Sequence, residues 1–316
     1  MPTRILVTGA YGQIGSELTM NLRNIYGASN VIASDIIKAP YKLRESGPVR
    51  YIDVTNINNI ASIVIEEDID IIYHLAAILS GKGELNPQKA YNINMNGLYN
   101  ILEVSRSNNI KKVMVPSSIA AFGPTTPKEN TPNETILRPT SIYGVTKVAG
   151  ELLHEYYTSK YGLDVRALRY PGIVSSETEP GGGTTDYAVD MYVKAVKGEC
   201  YDCFVREDTT LPFMYMPDAL NSIIELADAP LDKLKRRTYN IVAFSCSAKE
   251  IEEDIKKHIP SFNVKYNPDY RQEIADSWPK TIDDSKAREE WGWKHNYGLK
   301  EMTEDMIKNI KKKFNK

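Results

Sequence analysis

Cysteine is scarce in this chain, with three in 316 residues, and an odd set of Cys200, Cys203 and Cys246 builds no disulfide framework. Cys200 and Cys203 do form a CxxC. No second pair accompanies it, however, so half of a zinc pattern is missing, and the surrounding ECYDCFV alternates as a strand does. Histidine is nearly as rare: the four, at 74, 154, 258 and 295, form neither an HExxH nor a helical pair that would hold a metal. No metal site is expected. Charge of one sign is not in excess either, since 39 basic residues face 41 acidic ones for a net charge of -2. Such a balance gives no field to attract nucleic acid or an anionic membrane, so small-molecule partners are expected. No apolar run reaches the roughly 18 residues of a membrane span, and the chain enters a strand-like run at once, without the regions of a signal peptide. A cytoplasmic protein is expected.

What the chain does contain is a βαβα rhythm with glycines at its first turn. Residues 4–8, RILVT, form a β-branched run that meets Gly9-Ala10-Tyr11-Gly12-Gln13-Ile14-Gly15 and then a helical pattern over Ser16–Tyr26. A strand, glycine turn and helix in that order aim backbone N–H groups and the positive helix end at a diphosphate. The spacing is GxxGxxG. The next strand, 31–34, ends in Asp35, twenty residues beyond Gly15, where a carboxylate accepts hydrogen bonds from an adenosine ribose and repels a 2′-phosphate. NAD is therefore expected over NADP. A third strand, 49–53, ends in Asp53-Val54, which can meet an adenine edge; Asp53 or Thr55 can equally cap the following helix. Then IDIIYHLAA, residues 69–77, reads as a strand buried on both faces, its small Ala76 and Ala77 leaving room for a cofactor at the carboxyl edge. His74 has no visible partner in the sequence and is read as structural.

Pro87 opens a long helix over 88–108, in which Asn92, Asn94, Asn96 and Asn100 are unusual because asparagine is a mediocre helix former. Strand five, 112–118, ends in Ser117-Ser118, and a Pro/Thr-rich loop runs to Pro139. From Ser141 to Tyr157 the chain reads SIYGVTKVAGELLHEYY, which puts Tyr143 and Lys147 one turn apart on one helix face. An ammonium beside a phenol favours the phenolate, so this pair can exchange a proton near neutral pH. A sixth strand over 164–170 completes the alternation, and the fold class expected is α/β, a Rossmann-type doubly wound parallel sheet.

Beyond Pro171 the rhythm breaks. Residues 177–212 carry the loop ETEPGGGTTD, a helix near 187–196 and the CYDCFV strand; a helix over 219–227 and a strand over 238–243 return to the sheet edge; after Ser247 two helices and two short strands are expected. This divides the chain into an NAD-binding domain, 1–176 plus 213–243, and a small discontinuous C-terminal substrate lobe, 177–212 plus 244–316.

With GxxGxxG, Asp35, Ser117-Ser118 and Tyr143-x-x-x-Lys147 in order, the chain resembles an extended short-chain dehydrogenase/reductase. Within that group LAAILSGKGE (75–84), GGTTDYAV (182–189) and SWP (277–279) are similar to the short-chain type of L-threonine 3-dehydrogenase, relatives of the UDP-galactose 4-epimerases. The resemblance implies oxidation of the L-threonine hydroxyl by NAD to 2-amino-3-oxobutanoate. It makes Tyr143 the base, Ser118 the residue orienting the hydroxyl, and Lys147 the group that lowers the tyrosine pKa and holds the nicotinamide ribose. Cofactor contacts are expected at Gly9, Gly12, Gln13, Ile14, Gly15, Asp35, Asp53, Val54, Leu75, Ala76, Ala77, Asn94, Tyr143, Lys147, Tyr170 and Ile173. Substrate contacts are expected at Ser80, Ser118, Tyr143, Thr184, Thr185 and, more loosely, Trp278. It also implies a homodimer through a four-helix interface built from helices near 88–108 and 141–160, whose apolar faces permit it. The alternative is a sugar-nucleotide epimerase or reductase. A second diphosphate would need basic side chains, and 177–190 has none, although Lys194, Lys197 and Arg206 follow.

Overall fold

The computed structural model describes residues 2–178 and 180–314; Met1, Glu179, Asn315 and Lys316 lie outside the described residues, the last three being positions that the sequence reading assigns to the substrate lobe. Six strands come first: β1 (Ile5–Thr8), β2 (Val31–Asp35), β3 (Val49–Tyr51), β4 (Ile71–His74), β5 (Lys112–Ser118) and β6 (Val165–Tyr170). Six more follow: β7 (Gly172–Val174), β8 (Tyr201–Cys203), β9 (Thr210–Tyr215), β10 (Thr238–Asn240), β11 (Phe244–Ser247) and β12 (Val264–Tyr266). The helices of the first half are α1 (Gln13–Tyr26), α2 (Tyr41–Glu45), α3 (Ile57–Glu66), α4 (Ser80–Leu85), α5 (Pro87–Tyr91), α6 (Gly97–Ser107) and α7 (Ile142–Tyr161). Those of the second are α8 (Tyr187–Lys197), α9 (Met216–Asp228), α10 (Ala248–His258), α11 (Arg271–Ser277), α12 (Ser285–Trp291) and α13 (Leu299–Phe314).

The main sheet has seven strands in the order β10-β6-β5-β4-β1-β2-β3, all parallel. Its strands are apolar on both faces because both are covered. Ile5, Val7, Val31 and Ala33 pack on one side with Leu18 and Leu22 of α1 and Ile223 of α9. Leu6, Ile32 and Ile72 pack on the other with Ile60 of α3, Leu102 of α6 and Tyr157 of α7. The order reverses at β1, between β2 and β4, and a ligand crevice belongs outside the carboxyl ends of the strands at such a point. No described helix is long and apolar enough to cross a membrane.

The long asparagine-bearing helix is interrupted. Between α5 and α6 one π turn, Asn92–Asn96, widens the coil, an arrangement common at functional sites. Three further strands form a separate sheet, β11-β9-β7, and β12 pairs with β8. After Ser247 the described chain has four helices and one strand on from β11, rather than two helices and two strands. Two of those helices, α11 and α12, are seven residues each, too short to display a helical period in sequence. The apolar residues of α8, α10 and α13 share a second core with Phe204, Phe213 and Trp278.

Candidate active site

A cavity of about 650 Å³ opens at the carboxyl ends of β1, β4, β5 and β6. At its first end stands the glycine turn. Gly9 has φ +67°, and a Cβ there would lie 2.5 Å from the Ala76 backbone nitrogen, so only glycine lets the two turns touch. Gly12 caps α1 in an extended conformation without a side-chain bond, which leaves the first-turn N–H groups facing the cavity. Gln13 adds a buried Nε2 with no partner among the described residues. Unsatisfied donors at a helix N-terminus suit a diphosphate. Gly9, Gly12, Gln13, Ile14 and Gly15 all line the cavity, as do Leu75, Ala76, Ala77, Asn94, Tyr170 and Ile173.

Asp35, Asp53 and Val54 lie off its wall. Asp35 is nonetheless fixed beside the glycine turn, accepting from the Tyr11 N–H at 3.2 Å and the Ile36 N–H at 2.7 Å. Asp53 turns Oδ1 to the Thr55 N–H and hydroxyl, at 2.9 and 2.7 Å. Neither of them caps α3; Asn56 does, accepting from the Asn58 and Asn59 N–H groups. Val54 packs against Gly97, where a Cβ would approach its Cγ2 to 2.7 Å.

Ser118, at the end of β5, and Tyr143 and Lys147, on α7, meet at the centre of the cavity. Ser141 starts α7 by accepting from the Gly144 N–H at 3.1 Å, which seats Tyr143 in the first turn. The Lys147 ammonium donates to the Pro116 carbonyl at 2.6 Å and lies 5.3 Å from the centre of the Tyr143 ring. Burial pushes Tyr143 up to about 12, with the Ser118 hydroxyl working against it. Burial pushes Lys147 down to about 8, with the Glu151 carboxylate opposing. The expectation that Lys147 lowers the tyrosine pKa is therefore not met in the free protein. Desolvation dominates the shift of both groups, and the opposing effect on Tyr143 comes from Ser118.

Two residues behind this centre change meaning. His74 has a partner after all, its Nδ1 lying 2.8 Å from Thr8 Oγ1, and it lines the cavity beside His154. Asn94, projecting from the π turn, grips the Ile78 N–H at 2.8 Å and its carbonyl at 3.0 Å and donates to Thr146 at 3.2 Å. That accounts for an asparagine in a helix. Glu151, one turn beyond Lys147, is buried with Arg169 at 2.7 Å and accepts from Ser117 at 2.5 Å, which ties α7 to β5 and β6.

The far end of the cavity is small and hydroxyl-rich. Ser80 Oγ lies 3.0 Å from Thr184 Oγ1 and accepts from the Thr184 N–H at 3.2 Å, while Thr185 and the buried Trp278 close the wall. Asp186 also lines it, a residue the motif reading passed over although it follows the two threonines directly. Its Oδ2 accepts from the Gly182 and Gly183 N–H groups at 2.7 Å each, and burial raises its pKa. Lys194, Lys197 and Arg206 stand elsewhere: Lys194 pairs with Glu199, Lys197 covers Phe314, and Arg206 binds Asp276 at 2.7 Å.

The profile of the NAD dependent epimerase/dehydratase family matches residues 5–242. The chain belongs to that family. NAD is accordingly the cofactor whose diphosphate the glycine turn fits. Over 305 residues the chain is 47% identical to the mitochondrial L-threonine 3-dehydrogenase of Bos taurus, covering 96% of this chain and 82% of the bovine protein. The holo form of a GalE-like L-threonine dehydrogenase from Cupriavidus necator superposes with a TM-score of 0.95 at 49% identity, covering 97% of this chain and 99% of that one. A monomeric L-threonine 3-dehydrogenase from a metagenome does so with a TM-score of 0.95 at 47% identity, covering 99% and 100%.

Proposed function

We propose that this family member is an NAD-dependent L-threonine 3-dehydrogenase, oxidising the L-threonine hydroxyl to 2-amino-3-oxobutanoate. The observation that carries this reading is the far end of the cavity: the hydroxyls of Ser80, Thr184 and Thr185 and the half-buried carboxylate of Asp186 line the same cavity as Ser118 and Tyr143, a set matched to a small zwitterion. Ser80, Thr184 and Thr185 receive the substrate carboxylate, and Asp186 supplies the negative charge that an ammonium needs. The glycine turn and Asp35 would hold NAD at its diphosphate and adenosine ribose, and the bound cofactor would supply the hydride acceptor for the β-carbon. Ser118 orients the substrate hydroxyl and Tyr143 takes its proton, a transfer that supplies roughly 10²–10⁴-fold. Burial favours the protonated form of Tyr143 in the free protein, and in the loaded site a phenolate would be favoured by the Lys147 ammonium, one turn along α7.

A sugar-nucleotide reading gains only Lys82 and Lys89, which line the cavity. NADH absorbance followed with NAD and L-threonine, L-serine or L-allo-threonine, beside chromatography of UDP-galactose, whose epimerisation releases no net NADH, separates the two. L-threonine is expected to give the highest kcat/KM, and preferential turnover of UDP-galactose would contradict the assignment.

The division into an NAD-binding part, 1–176 plus 213–243, and a substrate lobe, 177–212 plus 244–316, accompanies this proposal. Ala287 and Trp293 cross that division and pack into the sheet core. The cytoplasm is the proposed location, in keeping with the free thiols of Cys200, Cys203 and Cys246, and cell fractionation checks it.

A further inference from the structure

Lys147, Gly150 and His154 stand at i, i+3 and i+7 of α7, so they share one face. All three line the deep end of the cavity, together with His74 from β4. Glycine is a poor residue for a helix interior, and here it leaves a gap between two long side chains. A Cβ at Gly150 would meet only Leu98 Cδ2, at 3.0 Å. Around that gap polar atoms outnumber their partners. His154 is 2% exposed, and neither of its ring nitrogens has a hydrogen-bond partner among the described residues. Buried imidazole nitrogens left in that condition are rare and costly. His74 uses Nδ1 on Thr8, and Lys147 commits one N–H to Pro116. A buried water accepts or donates about three such bonds, and a gap this polar is where one binds.

We propose that water bound between Lys147 and His154 links the two, and that His154 is a positioning residue which keeps the Lys147 ammonium charged during proton transfer. This rests on the dehydrogenase reading, in which Lys147 supports the Tyr143 phenolate. Burial holds His154 neutral at physiological pH, with Lys147 and His74 acting in the same direction. It is therefore available as an acceptor. The titratable groups around it are Lys147 on its own helix and His74 from β4, which burial also holds neutral. Glu151 is occupied by Arg169 of β6 and Ser117 of β5, and α6 presents the apolar Leu98. A hydrogen bond to the charged form favours that form, so its removal lets Lys147 lose its proton at lower pH.

The pH profile of kcat for the holoenzyme tests this. The alkaline limb, set by Lys147 near about 8, should move down by about one pH unit in His154→Phe and return most of the way in His154→Gln, which restores an acceptor. Should His154→Phe fail to fold, Gly150→Ala fills the gap and should produce the same shift. A limb unmoved in the folded variants, or moved equally in His154→Phe and His154→Gln, would overturn the proposal. The pH dependence of NAD binding, followed by tryptophan fluorescence, reads the same shift without turnover. If the unsubstituted protein forms no NADH from threonine, the substrate reading fails, while that binding curve still decides the role of His154.

Discussion

Tyr143 and Lys147 carry opposite displacements from one cause. Burial raises the phenol to about 12 and lowers the ammonium to about 8, so each is pushed toward its neutral form while its neighbour is the natural partner of its charged form. A pair so poised responds strongly to any charge brought into the cavity. Tyr143→Phe should retain NAD binding and lose about 10²–10⁴-fold in kcat, as removal of a proton acceptor does. Stopped-flow measurement of NADH formation checks it, and kcat within tenfold of the unsubstituted protein would remove Tyr143 from the chemistry. Ser118, Tyr143 and Lys147 were legible in the sequence because their chemistry depends on a spacing, one helical turn or one strand end, that a chain displays directly. Asp186 and His154 were not. The first acquires its position from the fold of a loop, and the second from a cavity that exists only once α7 lies on β4 and β5.

At the scale of elements, α7 does most of the organising. Its first turn seats Tyr143, its second Lys147, its third carries Glu151 to Arg169 and Ser117, and its fourth closes the cavity with His154. The opposite side of the helix remains uncovered: Val145, Leu152, Tyr156 and Tyr161 are exposed, as are Tyr91 of α5 and Tyr99 of α6. Apolar and aromatic residues gathered on neighbouring helices mark an interaction surface. We propose that two copies of the chain pair these helices into a four-helix dimer interface, although the metagenome relative is monomeric. Light scattering should give twice the chain mass of 35.6 kDa, and Leu152→Asp should return the protein to that mass; a monomer in both would contradict the pairing. The parallel sheet was readable because strands buried on both faces are continuously apolar. The short helices α11 and α12 were not, since one or two turns establish no period. The π turn left only an indirect trace, a run of asparagines where helix formers are usual.

At the scale of the molecule, the main sheet and a second apolar core both border the cavity, and in the proposed reading the identity of the substrate depends on the side chains beyond the sheet. The sheet's motifs serve any alcohol. The hydroxyls of Ser80 and Thr184, in hydrogen-bond contact across 104 residues of sequence, line that cavity with Thr185, Asp186 and Trp278, and in the proposed reading they narrow the choice. The most direct measurement is transfer of label from L-threonine deuterated at the β-carbon. Incubated with NAD, the protein should place deuterium in the NADH it forms, in step with loss of threonine, and mass spectrometry of the isolated nucleotide reads this. NADH formed without deuterium, or no NADH from threonine while UDP-galactose is converted, would contradict hydride removal at that carbon.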